Sequence, residues 1–531
     1  MRETDFDVVI DNASILDGTG TAARSGSVAI RDGKIAEVSD GPLRSSEWRA
    51  QTQIDAERKV LAPGFIDLHS HADFTLMGHP AATTQLTQGV TTIVTGNCGS
   101  SPFPVAELAP LKDAASIFNP QLNWDWGDAS GFIETLRSGS SAINVALQVG
   151  HGALRIAAMG DADRAPTSRE LDRMCELLDE AADHGVHGLS SGLFYAPGRF
   201  SEPAEMRALA EVAAARDLLY STHIRSETDG VLESVKEAIE VARETGVRLE
   251  ISHIKAMGPL NHGKVPAALD LMARAREEGV DVTTDVYPYT ASSTSLSSRL
   301  PRWALDGGPE ALLERLTDPE HSRRIAEELA SRFTGEIDPA GIVIAELPKG
   351  QYSADVGFSL TDIAAQTDQS PAETALDILR HHQASVAIVN HAMSEQDLEA
   401  ALRDPHVAIA SDGWIMTPAG EGSPHPRSFG TFPRVLGRYS RDQGTITLAE
   451  AVRKMTALPA SRAGLHDRGR IAPGLAADLV IFDPGTIIDR STYATPWQLS
   501  RGVHHVLVDG TIALHHGEPT ETRAGTVLVK H

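Results

Sequence analysis

The sequence predicts an α/β protein: a closed (β/α)8 barrel with a small discontinuous β-domain contributed by both chain ends. Three observations carry this. Apolar strand-like runs alternate with amphipathic helical segments through the middle of the chain, a pattern that calls for parallel strands and right-handed crossovers. So many such units in series favour a closed barrel over an open sheet. Short β-rich segments with tight turns stand outside this region, at residues 1–61 and 470–531.

At the N-terminal end, Val8-Val9-Ile10, Ser27-Val28-Ala29-Ile30 and Ile35-Ala36-Glu37-Val38 are short strands, and Asp32-Gly33 between two of them is a hairpin signal. The barrel is expected over 62–469, beginning with Gly64-Phe65-Ile66-Asp67-Leu68-His69-Ser70-His71. On a strand, Asp67, His69 and His71 point to one face. The second run, 90–99, stops at Cys98, and the third, 143–152, at His151. A helix follows, with a Thr167–Glu170 capping box, apolar Leu171, Met174, Leu178 and Ala181, and Gly185 as its stop.

The fourth strand, within 185–192, ends in Ser190-Ser191. Helices near 203–216, 231–245 and 265–278 then precede strands that end at His223, His253 and Asp285-Val286-Tyr287. Two further apolar runs, 342–345 and 386–389, exceed the eight slots of a barrel before 407–412 ends on Asp412. Asp412 is therefore assigned to the eighth strand, and about 290–391 is an insertion with helices around 309–333 and 371–382. A helix near 448–456 closes the barrel region, and the tail is β again, with Asp509-Gly510 as a turn.

Composition narrows the function classes. A net charge of −25, from 47 basic and 72 acidic side chains, argues against nucleic acid and anionic membranes as partners. It does not bar a small anionic substrate from a locally positive site. Two cysteines, Cys98 and Cys175, exclude a disulfide framework. No run approaches the roughly 18 apolar residues of a membrane span, and the charged start lacks a signal core. A cytoplasmic enzyme is the expectation.

Barrel enzymes carry their chemistry at the carboxyl ends of the strands. Here those ends offer His69, His71, Cys98, His151, Ser190, His223, His253, Asp285 or Tyr287, and Asp412. Each has a bland reading alone: Cys98 as a small core residue, His223 or His253 as a satisfied core histidine. Together, imidazoles from three strands with a thiol and a carboxylate form a ligand set for zinc or a similar divalent ion.

At this point the pattern resembles the amidohydrolase superfamily, through Gly64-Phe65-Ile66-Asp67-x-His69-x-His71, the fifth- and sixth-strand histidines, Asp412, and the split β-domain. Many members carry a lysine on the fourth strand; Gly188-Leu189-Ser190-Ser191-Gly192 has none, and Cys98 offers a thiolate instead. With Gly192-Leu193-Phe194-Tyr195-Ala196-Pro197-Gly198, Thr222-His223-Ile224-Arg225-Ser226-Glu227, Ile251-Ser252-His253-Ile254-Lys255 and Asp285-Val286-Tyr287-Pro288-Tyr289, this resembles the D-aminoacylase (N-acyl-D-amino-acid deacylase) family.

The resemblance implies a metal-dependent TIM barrel that hydrolyses N-acyl-D-amino acids. It implies a tightly bound Zn2+ on Cys98, His223 and His253, and a second, weaker position framed by His69, His71 and Asp412 that Cys98 bridges. The chemistry then calls for Asp412 as general base and acid, and for the metal, or a neighbouring donor such as Tyr287, to stabilise the oxyanion. Lys255, Arg427 and Ser293, with Tyr195 nearby, match its carboxylate-binding set. The expected partner is the small-molecule substrate; homo-oligomer formation, the acyl group and the amino-acid side chain stay open. One rival is a cyclic-amide hydrolase of the dihydropyrimidinase or dihydroorotase type, disfavoured by the missing lysine. The other is a non-catalytic scaffold of the same fold, disfavoured because every expected ligand is present.

Overall fold

The computed structural model describes residues 5–41, 48–118 and 122–530. Eight parallel strands form the barrel in chain order: Phe65–Asp67, Val90–Thr95, Asn144–Gly150, Gly188–Gly192, Leu219–His223, Arg248–Ile251, Val282–Val286 and Val407–Ile409. They lie buried apart from a half-buried Arg248, as expected of parallel strands whose outer face is covered by crossover helices. The barrel closes beyond the regular ladder, where Asp412 N donates to His69 O (2.8 Å) and His71 N to Gly413 O (2.8 Å). Asp67 reinforces the seam by accepting from Ser411 N at 2.8 Å and Ser411 Oγ at 2.5 Å. The crossover helices include Ser168–Asp183, which starts on the Thr167–Glu170 capping box, and Val231–Thr245.

The chain ends meet in one sheet. Its order runs from Glu518–Pro519 through Thr511–His515, Val503–Val508, Leu479–Phe482, Val60–Pro63, Phe6–Ile15 and Arg24–Arg31 to Lys34–Asp40. Leu479–Phe482 pairs antiparallel with Val60–Pro63, so the C-terminal strands continue the N-terminal ones. The hairpin turn at Asp32-Gly33 has both residues at positive φ, 52° and 74°, the two-residue geometry that suits twisted strands. The last residues leave this sheet: Val527 and Leu528 pair with Val145 and Ala146 of the third barrel strand. The segment from 470 onward thus serves both bodies.

Between the seventh and eighth barrel strands, Ala291–Ser295, Ala387–His391 and Ile342–Glu346 form a separate three-stranded antiparallel sheet. It packs with four helices around its own core, which includes Leu312, Ile325, Leu329, Ile344 and Ile388. The single helical stretch expected over 309–333 is two helices, Gly308–Thr317 and Pro319–Arg332. Pro319 has no N–H to continue the first helix, and Asp318 caps the second through His321 N. Among the described residues, no helix is long and apolar enough to cross a membrane.

Candidate metal centre

Local backbone geometry aims the candidate ligands inward. Cys98 sits on the turn after the second strand, where Gly96, Cys98 and Gly99 all have positive φ (82°, 53° and 76°). A Cβ on Gly96 would lie 2.1 Å from Gln148 O, so this turn is seated directly on the third strand. From the fourth strand, Ser190 Oγ donates to Gly96 O and accepts from Gly99 N at 3.0 Å. The strand that lacks the lysine instead clamps the cysteine turn. His253 and Asp412 also adopt positive φ, 36° and 52°. Such conformations cost about 1–3 kcal/mol each and persist where the surroundings over-determine them, as functional sites do.

The side chains converge on Cys98. Its Sγ lies 3.3 Å from His69 Nε2, 3.4 Å from His253 Nε2 and 3.7 Å from His223 Nδ1. Asp412 Oδ1 is 3.1 Å from His71 Nε2 and 3.4 Å from His69 Nε2. One donor atom from each of His69, Cys98, His253 and Asp412 falls within 4.8 Å of the others, and the same holds for His223, Glu227 and His253. All of these side chains are buried.

Two carboxylates stand behind the imidazoles. Asp285 Oδ2 is 3.4 Å from His69 Nδ1, and Asp285 Oδ1 accepts from His253 N at 2.9 Å. Glu227 Oε1 is 3.2 Å from His253 Nδ1, and Glu227 Oε2 is 3.4 Å from His223 Nε2. Carboxylates in this relation fix the tautomer and ring orientation of metal-binding histidines.

The electrostatics fit a cation. Burial opposes ionisation of the Cys98 thiol, but His69, His253 and His223 outweigh it and hold the thiol well below its ordinary range. Burial likewise opposes ionisation of Asp412, and Arg427, His253 and His71 hold its carboxyl well below the usual carboxylate range. For His223, burial disfavours the proton, yet Glu227 and Cys98 push its pKa up to about 9. Three imidazole nitrogens cannot all face one buried thiolate as neutral acceptors; each must carry a proton there or share a cation. A divalent ion removes that conflict, and the mixed N, S and O set is of the type that binds zinc. His71 Nδ1, buried without a partner, is a further donor atom unsatisfied by the protein itself.

A cavity of about 450 Å3 opens onto this cluster. Lys255, Tyr195, Tyr287, Ser293 and Arg427 all line it. Two of the cations have internal partners. Lys255 Nζ donates to Glu227 Oε1 at 2.5 Å and lies 2.7 Å from His253 Nδ1. Arg427 Nη1 pairs with Asp412 Oδ2 at 2.6 Å, and its Nη2 donates to Ser293 O at 3.3 Å. Tyr195 accepts from Thr294 Oγ1 at 3.2 Å. The Tyr287 hydroxyl contacts Met393 Sδ at 4.0 Å, and its ring faces both Lys255 and Arg427. His151 turns away from the cluster and bonds Glu205 at 2.7 Å, which also pairs with Arg155.

Sequence reasoning gave no role to two residues that belong here. Glu227 lies inside a run singled out for His223, and its signal was the presence of a lone carboxylate four residues beyond a ligand. Arg299 lies in the insertion and carries no motif. It is 2% exposed, lines the cavity, and leaves Nε without a partner. Among the described residues its guanidinium has no carboxylate partner; it lies over the Phe194 ring at 5.6 Å. Glu227→Gln is expected to weaken metal affinity by about 10–100-fold, measured by competition with a chromogenic chelator; unchanged affinity would remove Glu227 from the support of the site.

Residues 52–514 match the model of the amidohydrolase family. An N-acyl-D-glutamate deacylase of Alcaligenes xylosoxydans xylosoxydans is 36% identical over 523 residues, covering 98% of this chain and 96% of the relative. A D-aminoacylase of the same organism is 35% identical over 536 residues, covering 99% and 98%. The crystal structure of N-acyl-D-glutamate deacylase from Bordetella bronchiseptica, complexed with zinc and a phosphonate mimic of the tetrahedral intermediate, superposes with a TM-score of 0.84 at 36% identity and covers 99% of both chains. Sequence motifs, barrel, split β-domain and these likenesses agree: the chain belongs to the amidohydrolase family, within its D-aminoacylase group.

Proposed function

We propose that this protein is a zinc-dependent deacylase of N-acyl-D-amino acids that prefers an acidic amino-acid side chain. The observation that carries the reading is the cavity itself: its floor is the Cys98–histidine–Asp412 cluster and its walls present Lys255, Arg427 and Arg299. A linear N-acyl amino acid brings an amide to be cleaved and a carboxylate to be held, and both needs are met within one pocket. The D configuration is supported by likeness to the two relatives.

Cys98, His223 and His253 would hold the ion most tightly, with His69, His71 and Asp412 around a second position. A divalent ion bound there supplies Lewis-acid activation of water and of the acyl carbonyl. The chain's own groups do the rest. Asp412 takes a proton from the attacking water and returns it to the amide nitrogen as the C–N bond breaks, giving a carboxylate and a free amino acid. Arg427 keeps Asp412 ionised through Nη1 and presents its other edge to the substrate's α-carboxylate, as a planar guanidinium can. Lys255 adds a second positive charge, with Ser293 and Tyr195 shaping that end of the cavity. The Tyr287 hydroxyl, which lacks a strong internal hydrogen bond, is available to the developing oxyanion.

Arg299 addresses the side chain. Glu227 and Glu336 act on this guanidinium only from a distance, burying it without a direct ion-pair partner is costly, and an acidic substrate side chain is the partner that offsets it. Steady-state assays on N-acetyl-D-glutamate, D-aspartate, D-leucine and D-methionine, their L-forms, and a hydantoin test the proposal. Release of D-glutamate or D-aspartate should dominate. In Arg299→Leu, kcat/KM for the acidic substrate is expected to fall by about 100-fold or more, the scale of a lost charge-assisted contact, while D-leucine turnover rises. Hydantoin cleavage without amine release would overturn the linear-amide reading; preference for D-leucine in the unmodified enzyme would overturn the role of Arg299.

A further inference from the structure

A second group of metal-ligating side chains lies in the β-domain, on residues that do not line the catalytic cavity. His505, on Val503–Val508, is the direct cross-strand partner of His515 on Thr511–His515. The chain then reverses through a two-residue turn, His516-Gly517, before Glu518 pairs with His515. Both turn residues have positive φ, 50° and 84°. That turn geometry ordinarily takes Asn-Gly or Asp-Gly. Histidine at its first position is a strained choice, and it brings a third imidazole beside the other two. The ring centroids are 4.9 Å (His505–His515), 4.7 Å (His505–His516) and 4.3 Å (His515–His516) apart.

We propose that His505, His515 and His516 form a second divalent-metal site, for a borderline transition ion such as Zn2+, Cu2+ or Ni2+, separate from the catalytic centre. One nitrogen from each ring already lies within 4.8 Å of the others. Metal–nitrogen bonds of about 2.0–2.1 Å in tetrahedral geometry require nitrogens about 3.3 Å apart, so closure needs shifts of an ångström or so. His515 and His516 are exposed and free to make them, while His505 is buried and fixed. His505 Nδ1 is buried without a partner, leaving part of this imidazole unsatisfied by the protein. Lys59, whose charge acts on His505, is paired with Glu57. An all-imidazole set selects these ions over Mg2+ and Ca2+, which want oxygen.

The test titrates enzyme carrying one equivalent of zinc with NiCl2 alone and counts total bound zinc plus nickel after desalting. The unmodified protein should take up one equivalent more than His515→Ala/His516→Ala, with deacylase activity equal in the two. His516→Asn, whose side chain tolerates the turn's backbone, should lose that equivalent without disturbing the fold. Cys98→Ala should retain it, and cobalt bound there should lack the thiolate-to-metal absorption of the cysteine site. Equal uptake by the unmodified and double-variant proteins overturns the site; so does disappearance of the extra equivalent in Cys98→Ala, which would place it in the catalytic cavity.

Discussion

Asp412→Asn is expected to lower kcat by about 10²–10⁴-fold, the usual contribution of a positioned general base and acid, with the fold and the tightly held metal retained. Asp412 is buried among ligands, with Oδ1 against His71 and His69 and Oδ2 against Arg427. Asparagine preserves shape and one acceptor oxygen but cannot take a proton at neutral pH. The two oxygens have separate work: one faces the histidines where water is activated, the other is tied to Arg427. Because the carboxyl is held well below its usual range, it is the base form that stands ready at pH 7, and it is lost only as pH falls through that depressed value. A pH profile of kcat/KM should therefore lose its acidic limb in the variant. Turnover within about threefold of the unmodified enzyme, with metal content matched, would exclude Asp412 as the proton carrier.

What the sequence made legible follows from where its signals lie. The barrel strands are apolar runs that end on chemistry-bearing residues, so His69, Cys98, His223, His253 and Asp412 marked the strand ends and the site together. Their convergence is then a property of the closed barrel, which brings the last strand back against the first. The insertion was legible as an excess of strands with helices around 309–333 and 371–382, but not as a sheet of its own. Its first strand, Ala291–Ser295, is made of alanine, serine and threonine, and carries neither alternation nor an apolar run. Its pairing with Ala387–His391 spans almost the whole inserted segment. The helix that begins at Arg427 was hidden by Pro433 inside it and by its π-helical continuation, Val435–Asp442. The partners of charged groups were also out of reach. Arg427 and Lys255 were assigned to the substrate carboxylate, with a barrel-rim ion pair as the other reading of Lys255, and the fold pairs them with Asp412 and Glu227. Arg299 has no local motif; its meaning arises from being buried at a cavity wall without a direct ion-pair partner among the described residues.

Cys98→Ala is expected to remove tightly bound metal and activity together, with kcat/KM down by about 10³-fold or more, since the several kcal/mol of charge stabilisation a bound ion supplies correspond to that factor. Cys98 Sγ lies within 3.3–3.7 Å of nitrogens on His69, His223 and His253, so it joins both halves of the donor set. Its removal leaves imidazoles from three strands facing a gap, with Glu227 and Asp285 still oriented toward rings that no longer share an anion. Alanine at this position keeps the strained turn, which Ser190 clamps through the backbone of Gly96 and Gly99, so the fold should survive. Elemental analysis and a zinc titration of the melting temperature, both on a His515→Ala/His516→Ala background, read the outcome: the parent is stabilised as zinc saturates it, and the Cys98→Ala variant is not. Cys175→Ala is the matched control. Cys175 packs on the helix Ser168–Asp183 at the edge of the core, and its loss should leave metal content and turnover unchanged. If Cys98→Ala kept its zinc and its rate, the metal would have to be held by the histidines and Asp412 alone, and the thiolate would lose its place at the centre of the site.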